Sequence, residues 1–468
     1  MTDNVCYLGA NELLAAYRAK SLSPVDVTKA VLARIEKYNG LLNCFCLVDE
    51  ERALQQARDS EARWTKGKPE GALDGVPVAI KDLVLAKGWP TLKGSRTINP
   101  DQAWDEDGPA SARLREHGAV ILGKTTTPEF GTKGVTDNTL TGITRNPWNP
   151  EKTPGGSSGG SAAALAAGMC ALAVGTDGGG SVRLPAALSG VFGLKASFGV
   201  VPAYPPSPPP LRTLSHVGPM ARSVADATLM LRVLSEPDDR DWLALQDGPR
   251  DFRNILNDGV AGLRIAYSPD LGFAPVDAEV AALTADATKV FENLGATVEE
   301  CDPGIEDPMD IWLTLFFASG PLMLEQMEED QVKLLDPHLQ QRWVPEFTPS
   351  LAEYFAAVSA REAMAMRMVR FHRDYDLLLT PVTLTAAFDA GINGPEGYGT
   401  DPTFDWMRLA PAFNLTHQPA ASVPCGFTKE GLPVGLQVVG PMYRDDLVLR
   451  ASQAYEQARP TWDRRPDL

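Results

Sequence analysis

The chain has 468 residues, 44% of them hydrophobic and 22% charged, and a formal net charge of −17. That length and balance bury one large core or two ordinary ones and exclude a disordered chain. The acidity repels a phosphate backbone and an anionic membrane surface alike, which argues against direct nucleic-acid docking or membrane attraction and leaves small or cationic ligands unhindered.

The cysteines, Cys6, Cys44, Cys46, Cys170, Cys301 and Cys425, are scattered. No CxxC pair and no histidine at metal-ligand spacing accompanies them, so reduced, buried thiols and no metal are expected. The N-terminal residues lack a charged n-region and an apolar h-region, and no stretch reaches the roughly 18 apolar residues of a membrane span. The cytoplasm is the expected compartment.

In chain order, the first strong element is a helix opened by Ser23-Pro24-Val25-Asp26: an N-cap, a proline at the first helical position and an acid behind it. Val27, Val31, Leu32 and Ile35 then recur at helical spacing. Cys44 to Val48 predicts a strand and Asp49 to about Trp64 a charged helix, both scaffold. Beyond them, short apolar runs alternate with helices as in an α/β sheet. Val76 to Ile80, Ala119 to Leu122 and Ala171 to Val174 predict buried strands. Ala162 to Ala167 predicts a short helix, and Val182 to Leu188 a helix opening directly after Ser181. Leu263 to Tyr267, a helix from about Asp277 to Leu294, Leu377 to Leu379 and Val434 to Val439 continue the theme.

Pro202 to Pro210 holds six prolines in nine residues. It cannot be a central strand or a helix interior and reads as a stiff loop on the surface or over a cleft. The same pattern on both sides of it predicts a single domain over 1–468, with a smaller irregular lobe at about 237–345. Trp312, Leu315, Phe316 and Phe317 cluster in that lobe, as core packing first and a substrate wall second.

The chemistry concentrates in two glycine-serine runs and one lysine. Gly155-x-Ser157-x-Gly159 fits a nucleophile elbow, which needs a strand directly before the serine. The preceding Pro147, Pro150 and Pro154 forbid one. Neither run leads into Gly-Lys-Ser/Thr, so a phosphate loop is excluded too. Gly178-Gly179-Gly180-Ser181 sits between a strand and a helix, where unpaired N–H groups and the positive helix end would form an oxyanion hole. His117, His216, His338, His372 and His417 all lie outside both runs and read as structural or exposed. Lys81 ends the apolar run Val76 to Ile80, where desolvation would lower its pKa toward neutrality and make it a base. An ordinary buried lysine paired with Asp82 or another acid explains that residue equally well.

These residues resemble the amidase signature family, Ser-Ser-Lys hydrolases of carboxylic amides. The resemblance covers Gly75 to Asp82, Gly123-Lys124-Thr125, Arg145-Asn146-Pro147-Trp148, Pro154 to Ser161, Gly175 to Lys195, His216 to Arg222 and Gly431 to Gly440. It implies an α/β fold with a mixed central sheet covered by helices on both faces. By the same resemblance Ser181 is the acylated nucleophile, Ser157 the bridging serine after a cis peptide, Lys81 the general base, Gly178, Gly179, Gly180 and Ser181 the oxyanion donors, and Gly131 part of the acyl pocket. Asp177 and Arg183 match the motif as braces of the loop. Three positions depart from it. Gly178 replaces a side-chain-bearing residue, which would loosen the loop or open room beside it, Ala196 replaces a proline, and His417 replaces a glycine.

The reading is an amidase that hydrolyses a carboxylic amide to acid and ammonia or amine through acyl-Ser181, with no cofactor. The expected substrate is a small or medium uncharged amide with an apolar or aryl group on at least one side. A homodimer is compatible with this reading. Two rivals stand beside it: the glutaminase subunit of a tRNA-dependent amidotransferase, and a catalytically silent binding or scaffold protein.

Overall fold

The computed structural model describes residues 2–461 and 464–468. In chain order the strands are β1 (Phe45–Val48), β2 (Pro77–Lys81), β3 (Val120–Thr125), β4 (Asp137–Asn138), β5 (Gly142–Ile143), β6 (Leu172–Asp177) and β7 (Phe192–Lys195). There follow β8 (His216–Ala221), β9 (Arg264–Tyr267), β10 (Thr297–Glu300), β11 (Leu377–Pro381), β12 (Ala420–Phe427) and β13 (Pro433–Val439). Eleven of them form one sheet in the order β1-β3-β2-β6-β8-β7-β12-β13-β11-β9-β10, and β4 and β5 form a separate two-stranded ribbon. The sheet is mixed: β3, β2 and β6 run parallel, the central strands from β6 through β8, β7, β12 and β13 to β11 pair antiparallel, and β11, β9 and β10 are parallel again.

Two hydrophobic cores flank the sheet. The strand period of two assigns side chains to them: in β11, Leu377 and Leu379 enter one core and Leu378 the other, and in β9, Ile265 and Tyr267 oppose Ala266 in the same way. One face is covered by helices that include Pro24–Leu42, where Ser23 caps the first turn by accepting from the Val25 N–H, and Asp445–Ala458, which packs on β12. The other carries Met309–Phe317 packed against Leu351–Phe371.

The predicted strands and helices occur, with extensions that matter for the site. β2 continues through Lys81, β3 through Lys124 and Thr125, and β6 through Gly175-Thr176-Asp177. The helix expected at Ala162 begins at Gly159, and the helix expected directly after Ser181 begins at Arg183. Residues 237–345 divide between two roles. β9 and β10 from this stretch complete one edge of the main sheet, whereas Met309–Phe317, Gly320–Glu325 and Pro337–Arg342 are helices beside the site. No helix among the described residues is long and apolar enough to cross a membrane.

Candidate active site

Parallel neighbours β2 and β6 end side by side, which brings Lys81 to Thr176 from opposite parts of the chain. Lys81 is fully buried, and its Nζ touches three hydroxyls: Ser157 Oγ at 2.7 Å, Thr176 Oγ1 at 2.8 Å and Ser158 Oγ at 2.9 Å. No carboxylate pairs with it among the described residues. Asp82 binds Lys124 instead, at 3.2 Å between Oδ1 and Nζ, and Lys124 also donates to the Val84 carbonyl and Thr91 Oγ1. The structural alternative for Lys81, pairing with Asp82, is therefore taken by another lysine. Burial pushes the Lys81 ammonium well below its ordinary value, and the charge of Asp177 only partly opposes this.

The Gly156–Ser157 peptide is cis, as the motif resemblance implies. Glycine at 156 has a packing cause, because a Cβ there would come within 2.3 Å of the Val135 carbonyl oxygen. The helix Gly159–Ala166 starts just beyond, and Ser158 at its N-cap position makes no side-chain cap. Its hydroxyl is spent on Lys81 and on Thr176, whose backbone N–H it accepts and whose carbonyl it reaches at 3.2 Å each. Ser158 and Thr176 are thus site residues that motif reading passed over; their signal was adjacency to Ser157 and Asp177.

Ser181 stands at the turn between β6 and the helix Arg183–Ser189 and is partly accessible. Asp177 organises that turn by accepting from the Gly180 N–H at 2.7 Å and the Val182 N–H at 3.2 Å. Arg183 holds Asp177 in a two-pronged pair at 2.9 Å and is itself fixed by Asn414, Gln437 and the Ala410 carbonyl. Burial opposes ionisation of Asp177, but Arg183, Lys195 and Asn414 together keep its carboxyl well below the usual range. One expectation is corrected here: the Gly180 N–H is committed to Asp177 and is not free for an oxyanion. Within the run, the N–H groups of Gly178, Gly179 and Ser181 make no hydrogen bond among the described residues.

The helix Met309–Phe317 presses on the glycines. Trp312 Nε1 donates to the Gly178 carbonyl at 2.8 Å, and a Cβ on Gly179 would lie 2.5 Å from the Trp312 ring. A Cβ on Gly178 would meet Phe316 at 3.2 Å. The glycine at 178 therefore opens no spare room and loosens nothing, since Phe316 fills the space and Trp312 grips the loop. The aromatic cluster serves as both core and wall: all four residues are buried, and Phe316 and Phe317 also face the cavity.

That cavity has a volume of about 440 Å³ and reaches Ser157, Thr176, Gly178 and Ser181. Gly131 lines it with φ +73°, and a Cβ there would fall 2.6 Å from Leu83 and 3.3 Å from Ser157 Oγ. The proline-rich loop from Pro202 to Pro208 lies along the cavity, the cleft-side option of the sequence reading. His417 lies elsewhere. It adopts φ +63°, which accounts for the usual glycine, stacks on Phe198 at 4.3 Å and bonds the Thr213 carbonyl through Nε2, lining a different pocket. Among the described residues no cluster of three or more metal-binding side chains occurs.

The chain matches the Amidase family model over residues 26–449. It is similar to an acylamidase of Rhodococcus erythropolis, 36% identical over 484 aligned positions that cover 100% of this chain and 98% of the relative. It is also similar to a glutamyl-tRNA(Gln) amidotransferase subunit of Lachnospira eligens, at 34% identity over 96% of this chain and 98% of that one. A solved bacterial aryl acylamidase of the amidase signature enzymes superposes with a TM-score of 0.90 at 31% identity, covering 98% of this chain and 97% of the other. The chain belongs to the amidase family.

Proposed function

We propose that the protein hydrolyses a carboxylic amide with an apolar or aryl group to a carboxylic acid and ammonia or an amine. The observation that carries this reading is the Lys81 amine, buried without a carboxylate and held among three hydroxyls beside a cavity that also contains Ser181. A neutral amine has two N–H donors and one lone pair. Ser158 directs its own proton to the Thr176 carbonyl, so it takes a donor from Lys81. With the second donor on Thr176, the lone pair is left for the proton of Ser157.

In this scheme Ser181 Oγ attacks the amide carbon, its proton passes to Ser157 Oγ, and the Ser157 proton passes to Lys81 Nζ. The oxyanion meets the N–H groups of Gly178, Gly179 and Ser181, each worth about 3 kcal/mol in comparable sites. Collapse breaks the C–N bond while Lys81 returns its proton through Ser157 to the leaving nitrogen. Water then repeats the cycle on acyl-Ser181 and releases the acid. All the acid–base groups belong to the chain itself.

The glutaminase reading is favoured by the similarity to a tRNA-dependent amidotransferase. Glutamine, however, brings an α-ammonium that wants an acidic partner, and no aspartate or glutamate lines the cavity among the described residues. The test is release of free acid from simple aliphatic and aryl amides by the purified chain alone, with mass spectrometry of a fluorophosphonate adduct. Turnover with the adduct on Ser181, lost in Ser181→Ala, is expected. An adduct on Ser157 or Ser158, or activity only with partner proteins and aminoacyl-tRNA, would overturn the proposal.

A further inference from the structure

One charged side chain faces the cavity and has no part in the acid–base scheme. Lys93 lines the same cavity as Ser157 and Ser181. It follows Thr91-Leu92 in a loop with φ +54° at Lys93 and +65° at Gly94, and its carbonyl accepts the Phe130 N–H at 2.8 Å, one residue before Gly131. Its backbone is thereby tied to the wall that packs against Ser157. The Lys93 side chain makes no hydrogen bond or ion pair among the described residues. Asp82, the acid whose field it feels, is already held by Lys124 at 3.2 Å.

The rest of the lining sharpens this. Leu83, Leu85, Trp104, Phe130, Phe316 and Trp343 make the walls apolar. Within a chain of net charge −17, the cavity presents one lysine and no aspartate, glutamate, arginine or histidine among the described residues. An ammonium left without a partner in an apolar recess is costly unless a ligand supplies one. Burial acts on it in the expected direction, lowering its pKa.

We propose that Lys93 is a specificity-determining residue that binds a carboxylate carried by the amide substrate, remote from the scissile carbonyl. Resting on the amidase reading, this replaces the uncharged substrate expected from the sequence with an amide that is anionic at one end and apolar or aryl between. One ammonium with no arginine fork beside it suits a singly charged carboxylate better than a phosphate, which gathers several donors. A cationic amide finds no counter-charge and meets Lys93 as a repulsion.

The test uses matched pairs with the full chain. On the amine side, 4-acetamidobenzoate is compared with 4-nitroacetanilide, whose nitro group has the shape of a carboxylate without its charge. On the acyl side, succinanilate is compared with butyranilide. For each pair the ratio of kcat/KM, anionic over neutral, is measured in wild type, Lys93→Met, Lys93→Glu and Lys93→Arg. Leaving-group differences cancel when one ratio is followed across variants. A loss of the ratio by about ten-fold or more in Lys93→Met, carried by KM, is expected in at least one pair, with a larger loss in Lys93→Glu and partial retention in Lys93→Arg. Calorimetric binding of the same compounds to Ser181→Ala, with and without Lys93→Met, reads the contact independently of turnover. Ratios that stay within about two-fold across the variants, with no change in binding, would overturn the assignment even if neutral anilides are hydrolysed. Failure to hydrolyse any amide, with charge-selective binding intact, would instead strike the amidase reading and leave Lys93 as an anion site.

Discussion

At the scale of single residues, the proposal of Lys81 as the base turns on what surrounds its amine. Lys81 has hydroxyls where Lys124 has a carboxylate, although both are fully buried. Burial lowers both, but Lys124 is held up by Asp82 while Lys81 has only the more indirect field of Asp177, already paired with Arg183. The sign for activity follows. Below its lowered pKa Lys81 carries a proton and cannot accept another, so kcat/KM falls as pH falls. It climbs as pH rises through that lowered pKa and levels off above it. A pH–rate profile of the purified protein checks this. Lys81→Arg keeps a cation that cannot lose its proton, and turnover should drop by about 10²–10⁴-fold at every pH tested. Near-native rates in that variant would make Lys81 a structural residue.

At the scale of elements, distant segments grip the turn that carries Ser181, the proposed nucleophile. The turn after β6 is held from below by Asp177 and Arg183 and from above by Trp312 in the helix Met309–Phe317. Because a trans peptide sets its C=O and N–H in opposite directions, the bond from Trp312 to the Gly178 carbonyl also orients the Gly179 N–H. Trp312→Phe keeps most of the ring and removes this bond. Its expected effect is a fall in kcat of about ten-fold with KM changed by less than about two-fold, since the oxyanion contact strengthens in the transition state. Steady-state kinetics on one aryl amide decides. Equal changes in kcat and KM would make Trp312 a wall residue only.

For the molecule as a whole, the C-terminal helix Asp445–Ala458 is tied into the fold through a carboxyl that burial disfavours as an anion. Both oxygens of Glu456 lie within 3.1 Å of the Val224 N–H at the start of the helix Val224–Leu234, and burial raises its pKa to about 8. The folded protein therefore binds a proton there that the unfolded chain releases near pH 4.3, so this group's contribution to stability is present in acid and lost as pH rises toward 8. Glu456→Gln keeps an acceptor and cannot ionise. Its stability relative to wild type should improve by at least about 1 kcal/mol between pH 5 and pH 8, read from denaturant unfolding at each pH. A constant difference would show that Glu456 ionises freely in the fold.

What the sequence by itself determined is local. Apolar runs bounded by prolines and glycines located β2, β3, β6, β9, β11 and β13, because strand burial is written in consecutive residues. The serine runs and Lys81 stood out because acyl transfer without histidine needs those few residue types, and the resemblance then assigned them roles. The extent of the sheet was not legible: β7, β8, β10 and β12 carry mixed runs such as His216-Val217-Gly218-Pro219 and Thr297-Val298-Glu299-Glu300, whose strand state comes from neighbours already in place. Only the tertiary structure decided which lysine Asp82 pairs with, that Asp177 consumes the Gly180 N–H, and that Trp312 and Phe316 press on Gly179 and Gly178. The lysine pairing and the aromatic contacts reach across tens to hundreds of residues, Trp312 lying 134 positions from Gly178, whereas the Asp177 bond to Gly180 is local. Such contacts are chosen by the order of strands in the sheet and by what is left to fill the space between them, and neither quantity is carried by any short stretch of chain.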